Sequence, residues 1–208
     1  MKTTGRVALA LVALGLVLAL GSYLFLRGHG FSSRAEPGEL ETFLARAVRR
    51  LATPMSVRDL KSPVPASAGA LRLGLEHFAD HCAMCHANDG SGNTEMGRGL
   101  YPKAPDMRLE ATQSLTDGDL YYIIENGVPL TGMPAWGTAT PDGEAASWHL
   151  VQFIRRLPEL TETELKEMEA MNPKSAEEWN REQEIRRFLE GEGEAPKPGA
   201  PEHNHGGS

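Results

Sequence analysis

The two cysteines of the chain lie three residues apart and are followed directly by a histidine, in the segment Cys82-Ala-Met-Cys85-His86. The chain has no other cysteine for a disulfide framework, and no second ligand pair stands at the spacing of a zinc site. A strand-rich αβ pattern, expected around a thioredoxin-type pair, is also missing. Two thiols at this spacing can add to the two vinyl groups of haem, and the adjacent histidine can reach the iron. The segment therefore predicts one covalently attached haem c, with Cys82 and Cys85 as attachment points and His86 as an iron ligand.

A second iron ligand is expected from a loop on the opposite side of the haem. Met133 is the best candidate because it lies well after His86, in the sequence TGMPAW. The preceding glycine lets the backbone approach closely, and the following proline stiffens the loop. Met96 and Met107 are the competing candidates. The alternative role for Met133 is to fill a gap in the core, which is the usual role of methionine.

Residues 7–26 are twenty consecutive residues without a charge. A helix of this length spans the roughly 30 Å hydrocarbon core of a bilayer. The alternative is a cleaved signal peptide, but the apolar run is longer than the usual ~7–15 residues and no clean cleavage site follows. We therefore predict a transmembrane anchor over residues 1–28.

Residues 29–68 are expected to connect this anchor to a soluble domain. Within them, residues 38–52 carry apolar side chains at helical spacing together with three arginines, which predicts an amphipathic helix. Its apolar stripe has two possible partners, the bilayer surface and a protein surface on the rest of the chain or on another subunit. Residues 62–68 are rich in proline and indicate an extended linker.

Residues 69–158 are predicted to form the compact domain, with helices over 70–81, 116–126 and 143–157. The glycine- and proline-rich loops between them are too long for a core of this size unless they wrap around a bound group. Residues 159–190 indicate a charged helical extension, solvated or loosely docked. Residues 191–208 have the composition of a disordered tail.

Charge is unevenly divided along the chain. Residues 1–68 carry nine Lys or Arg against four Asp or Glu, whereas residues 69–158 carry six against eleven and residues 159–208 six against thirteen. A negatively charged outer domain argues against nucleic acid and favours a protein partner with a basic docking face.

With these motifs in place, residues 69–158 resemble a class I c-type cytochrome, an all-α fold around a covalently bound haem. The resemblance covers about ninety residues and is specific only at the two ligand motifs. It implies that the first and last helices of the domain cross. The candidates for that contact are Gly74, Phe78, Trp148, Val151 and Phe153. It also implies that the histidine ligand donates its free ring nitrogen to a proline carbonyl, for which Pro102 and Pro105 are both candidates.

The resemblance implies an electron-transfer protein rather than an enzyme, because His–Met ligation leaves no open position on the iron. Its expected partners are membrane lipid and redox proteins, namely a quinol-oxidising complex or periplasmic dehydrogenase as donor and a terminal oxidase as acceptor. Covalent haem attachment places the domain on the periplasmic side of the cytoplasmic membrane. A haem peroxidase or gas sensor is the enzymatic alternative, disfavoured by the candidate methionine ligand. A structural subunit of a larger complex is the third possibility.

Several other residues have side chains that can bind a metal ion or contact a haem. We expect the histidines among them to be structural or solvated, although a metal is conceivable for the pairs. The two aromatic residues either border the haem or are simply buried. These residues are His77, His81, His149, His203, His205, Tyr101 and Trp136.

Overall fold

The computed structural model describes residues 2–30, 32–174 and 176–191. Over these residues the chain is helical and contains no strand, which confirms the all-α prediction. The helices, in chain order, are α1 (Lys2–His29), α2 (Glu39–Ala52), α3 (Met55–Arg58), α4 (Ala68–His77), α5 (Ala83–His86), α6 (Glu95–Gly99), α7 (Glu110–Gln113), α8 (Asp117–Asn126), α9 (Pro141–Arg156), α10 (Glu162–Met171) and α11 (Ala176–Leu189). A π-helical turn, Phe78–Cys82, joins α4 to α5, and a 3₁₀ turn, Leu157–Glu159, follows α9.

Helix α1 stands apart from the rest of the chain. Its segment Thr3–Gly28 is long and apolar enough to cross a membrane, and none of it is buried against protein. Signal sequences share this length and composition, so the helix by itself does not distinguish an anchor from a leader. The predicted uncharged run lies wholly within α1.

The core of the soluble domain is built on the crossing of α4 and α9. Gly74 permits this crossing, since a Cβ atom at that position would lie 2.3 Å from the backbone oxygen of His149 and 2.8 Å from the Cβ of Phe153. One turn further, at the start of the π-helical turn that follows α4, the ring of Phe78 packs on that of Phe153 with the centroids 5.1 Å apart. The expected contact between the first and last helices of the domain is thus present.

Helix α8 packs beside α9 and closes the core. Thr116 begins α8 with a capping box. The Thr116 hydroxyl accepts a hydrogen bond from the Asp119 N–H, and the Thr116 N–H donates one to the Asp119 carboxylate, each at 3.1 Å. On the inner side of α8, the ring of Tyr121 stacks on Trp148 at a centroid distance of 4.4 Å. The capping box fixes the amino end of α8 and the ring stacking holds its middle against α9, while the Met133 loop departs from the opposite, carboxyl end.

Helix α10 is docked on the domain, although its sequence suggested a solvated or loosely held helix. Met168 is completely buried in the same core as Phe78 and Phe153, and Met171 packs against that core from the edge. The preceding Thr161 starts the helix with a second capping box. The soluble domain therefore buries side chains that lie beyond residue 158. The predicted tail lies, apart from residue 191, outside the described residues.

Candidate haem-binding site

The Cys82–His86 segment lies at the carboxyl end of the continuous helical segment formed by α4, the π-helical turn and α5. The π-helical turn ends at Cys82, and α5 carries Cys85 and His86. Residues three apart on a helix lie on the same face, so both thiols point to one side. Both cysteines are free and partly buried. Burial, followed by the nearby Cys85, raises the pKa of Cys82 to about 12, and burial also raises the pKa of Cys85.

His86 has the environment of a neutral imidazole ligand. Burial lowers its pKa, while the backbone carbonyl of Pro105 acts in the opposite direction as a hydrogen-bond acceptor. Nδ1 is fully buried, and its contacts fall short of standard hydrogen-bond geometry. The neutral ring is the form that binds a metal, and a carbonyl partner on one nitrogen orients the other. Of the two candidate prolines, the contact of Pro105 with His86 is the one that the structure supports.

The loop after His86 folds back over α5 through backbone contacts. The Gly92 N–H donates to the His86 carbonyl at 2.8 Å, and the Thr94 hydroxyl donates to the Cys85 carbonyl at 3.1 Å. Gly97 approaches so closely that a Cβ there would lie 2.2 Å from the Cys85 oxygen. These contacts bind both carbonyls at the end of the motif and so stabilise its helical conformation.

The Met133 loop is held on the carboxyl end of α8. The Val128 N–H donates to the Met133 carbonyl and the Met133 N–H donates to the Thr131 hydroxyl, each at 3.1 Å. The Trp136 N–H donates to the Ile124 carbonyl of α8 at 3.0 Å. Gly127 has a φ of +66°, which favours glycine, and a Cβ there would lie 2.7 Å from the Met133 oxygen. The backbone of Met133 is therefore fixed, and its side chain is partly buried.

This loop meets the segment that follows α6. A Cβ atom on Gly132 would lie 2.5 Å from a methyl group of Leu100, so the two loops are in close contact at this point. Leu100 follows α6, which packs on α5, and it precedes the Pro105 carbonyl beside His86. The structure thus connects the Met133 loop to the side of the domain that carries the cysteines and the histidine.

The competing methionines lie in different surroundings. Met107 is a core residue, buried with the side chains of α4 and α9, and its N–H donates to the Gly90 carbonyl at 2.8 Å. Met96 is about half exposed on α6. Met107 therefore has the packing role that methionine usually fills, and Met96 has no enclosed surroundings.

Those remaining candidates that the structure describes do not assemble into a metal site. The rings of His77 and His81 pack edge to face at 4.9 Å, and His81 contacts Trp136 in the same way at 5.5 Å. Among the described residues, no group of three or more His, Cys, Asp or Glu could hold a metal ion. The hydroxyl of Tyr101 donates to Glu41 of α2 at 2.6 Å, a partner that sequence reasoning missed. His203 and His205 lie outside the described residues.

Comparison with known proteins identifies the domain. The family described as "Cytochrome C oxidase, cbb3-type, subunit III" matches residues 69–154. Residues 69–154 are a cytochrome c-type domain. Such a domain transfers electrons through haem c.

Individual relatives match between 35% and 45% of the chain. A "Cbb3-type cytochrome c oxidase subunit FixP" of Azorhizobium caulinodans is 35% identical over 86 residues, which are 39% of this chain and 26% of that protein. The subunit FixPc of Rhizobium leguminosarum bv. viciae is 32% identical over 94 residues, 45% of this chain and 30% of its own length. A FixP subunit of Sinorhizobium medicae is 36% identical over 73 residues, 35% and 23% of the two chains. This chain thus spans less than a third of the length of these relatives.

Proposed function

We propose that the chain is a membrane-anchored, single-haem cytochrome that carries one electron at a time. Cys82 and Cys85 would hold the haem covalently, with His86 and Met133 as its axial ligands. The observation that carries this proposal is the geometry around His86, a half-buried imidazole whose Nδ1 is buried, beside the Pro105 carbonyl at the end of the helical segment that presents both thiols. When bound, haem c supplies a one-electron iron couple.

The surrounding residues favour electron transfer over chemistry on a substrate. Partial burial lowers the pKa of His86, which favours the neutral ring, and Met133 lies in a loop that three hydrogen bonds and close contacts hold in place. The Met133 thioether and the His86 imidazole would together hold the iron, and such ligation raises the reduction potential. With no open axial position, the protein would not be an enzyme in its own right.

The proposed position of the domain in the cell is supported by α1 and by the relatives. We infer that residues 1–28 anchor the chain in the cytoplasmic membrane and residues 29–68 connect the anchor to the haem domain. The haem domain, residues 69–158, and its extension, residues 159–190, would face the periplasm, with 191–208 as a tail. A quinol-oxidising complex or periplasmic dehydrogenase would supply the electron, and a terminal oxidase would accept it. The names of the relatives support an oxidase as the acceptor.

The haem content and ligation of the purified full chain test this function. We expect one haem per chain that stays attached through denaturing electrophoresis, because two thioethers hold it. We also expect reversible one-electron reduction without carbon monoxide binding to the reduced protein, because both axial positions are occupied. An apparent content of two haems, or rapid carbon monoxide binding, would contradict the proposal. The Cys82→Ser, Cys85→Ser double variant serves as the control without covalent attachment.

Docking with a basic redox partner should depend on salt. The haem domain has six basic and eleven acidic residues, and haem propionates would add to this negative charge. The Debye length falls from about 30 Å at 0.01 M salt to about 8 Å at 0.15 M, so steering by these charges weakens. We expect the rate of reduction of the full chain in neutral detergent by a soluble basic donor to fall several-fold over this range. A neutral small-molecule reductant provides the control, and a rate that stays flat for both reductants would assign the charge to solubility alone.

A further inference from the structure

Helix α2 presents its apolar face to the outside of the molecule. The side chains that form this face are between 51% and 86% exposed, and α2 contains no buried residue. Their helical spacing places them on one stripe. The stripe consists of Leu40, Phe43, Leu44, Val48 and Leu51. The structure rules out the described part of the chain itself as the partner of this stripe. The bilayer surface and another subunit remain.

The other faces of α2 are attached to the haem domain. Glu41 accepts the hydroxyl of Tyr101 at 2.6 Å, and just before α2 the carboxylate of Glu36 pairs with Lys103. At the far end, Arg58 of α3 donates to the carbonyl of Arg50 and pairs with a carboxylate of α8 at 3.4 Å. These contacts fix the rotation of α2 about its axis, and in this orientation the apolar stripe faces outward.

The connection to α1 places α2 close to a bilayer. Residues 30–38 separate the end of α1 from the start of α2, and nine extended residues reach at most about 30 Å. A turn in this segment, in which the Ala35 N–H donates to the Ser32 carbonyl at 3.2 Å, shortens that reach. If α1 crosses the membrane, α2 therefore begins within about 30 Å of the membrane surface, which is close enough for α2 to lie on it.

The flank of α2 has the chemistry of a lipid headgroup contact. A groove along this flank is lined by the apolar side chains of Phe43 and Ala47 and by the guanidinium groups of Arg46 and Arg50. Glu39 also lines the groove, at its amino end. Basic residues that border an apolar stripe are typical of helices that lie in the interface of anionic membranes.

We propose that α2 lies in the headgroup layer of the bilayer, with its apolar stripe toward the acyl chains and Arg46 and Arg50 at lipid phosphates. Because α2 is also bound to the haem domain, through Glu41 to Tyr101 and through the Arg50 carbonyl to Arg58, this contact sets the orientation of the haem relative to the membrane. The inference goes beyond electron transfer itself and rests on the proposed function only in placing α1 in the membrane.

Two neighbouring positions on α2 allow a matched test. Leu44 lies on the apolar stripe, whereas Ala45 is exposed and lies about 100° further around the helix. The full chain with haem, carrying Leu44→Cys or Ala45→Cys, would be placed in nanodiscs that contain phosphatidylglycerol and a phosphatidylcholine with a photoreactive acyl chain. The parent chain should take up no maleimide, because both of its cysteines are in thioethers; uptake would count against covalent haem attachment and not against the lipid contact.

We expect a charged, membrane-impermeant maleimide to modify position 44 at least tenfold more slowly than position 45. We also expect photoreactive acyl chains to form adducts on residues 39–52. Equal rates at the two positions would overturn the proposal, because the stripe would then face water. Slow modification at 44 without lipid adducts would also overturn it and would indicate a second copy of the chain or another protein on the stripe.

The basic flank has its own variant. In the Arg46→Gln, Arg50→Gln double variant, we expect the rate of maleimide modification at position 44 to rise several-fold. We expect the same rise when both arginines are kept and the nanodiscs contain no anionic lipid. Protection at 44 that is insensitive to both changes would contradict the role given to the arginines. The visible spectrum of the haem should be unchanged throughout, which separates this result from a failure of the haem site.

Discussion

Replacing Met133 with alanine should remove the sulfur–iron charge-transfer absorption at the red end of the visible spectrum and lower the midpoint potential by on the order of 0.1 V or more. The thioether raises the potential of haem iron, and axial ligands shift potentials over a range of roughly 0.8 V. The variant should also bind carbon monoxide when reduced, since one axial position becomes open. Absorption spectra and redox titration of Met133→Ala measure all three changes.

Unfolding should not account for this result. The Met133 backbone is held through its own N–H and carbonyl, and the Trp136 N–H is bound to α8, so the loop retains these contacts without the side chain. Met96→Ala is the matched control, because Met96 is half exposed and its loss should leave the spectrum unchanged. If Met133→Ala retains the charge-transfer band, the ligand is another methionine. Met107→Leu, which preserves core volume, would then be the variant to examine.

The parts of the structure that could be predicted are those encoded by local patterns. The cysteine and histidine spacing is local and chemically specific, so it indicated covalent haem without any tertiary information. The start of α8 was equally visible, because Thr116 and Asp119 stand three apart in the pattern of a capping box. The close approach of α4 and α9 depends on Gly74. That contact was predicted from the resemblance to cytochromes c and not from the sequence pattern.

The parts that could not be predicted depend on contacts between distant segments. Tyr101 donates to Glu41 sixty residues earlier, and no local pattern indicates such a pair. Helix α10 carries charges around most of its surface, and its docking depends on Met168, which is fully buried although no periodic stripe marks it. The choice of Pro105 over Pro102 required the fold of the loop after His86. The direction of the α2 stripe likewise required the placement of its polar side against the haem domain.

Adding one methyl group at Gly74 should be among the most damaging substitutions in the soluble domain. The new Cβ would lie 2.3 Å from the His149 carbonyl oxygen and 2.8 Å from the Phe153 Cβ, so α4 and α9 would have to separate. Overpacking of this kind typically costs 1–3 kcal/mol, and a clash with backbone leaves little room for relaxation. Alanine recovers up to ~1 kcal/mol through its helix propensity. We therefore expect Gly74→Ala to lower the free energy of unfolding by about 2 kcal/mol.

Gly69→Ala on the same helix is the control for this substitution. Its Cβ would meet only the Ser67 hydroxyl, at 3.8 Å, so the same chemical change there should be neutral or stabilising by less than about 1 kcal/mol. Thermal unfolding of the two variants, followed by circular dichroism and by the haem absorption, compares them directly. For a domain of about 100 residues, each kcal/mol shifts the melting temperature by roughly 4–8 °C, so the two variants should differ by at least 8 °C. If Gly74→Ala and Gly69→Ala melt at the same temperature, α4 and α9 do not approach closely at Gly74. The contact between α4 and α9 would then rest on larger side chains of the core, such as Phe78 and Phe153.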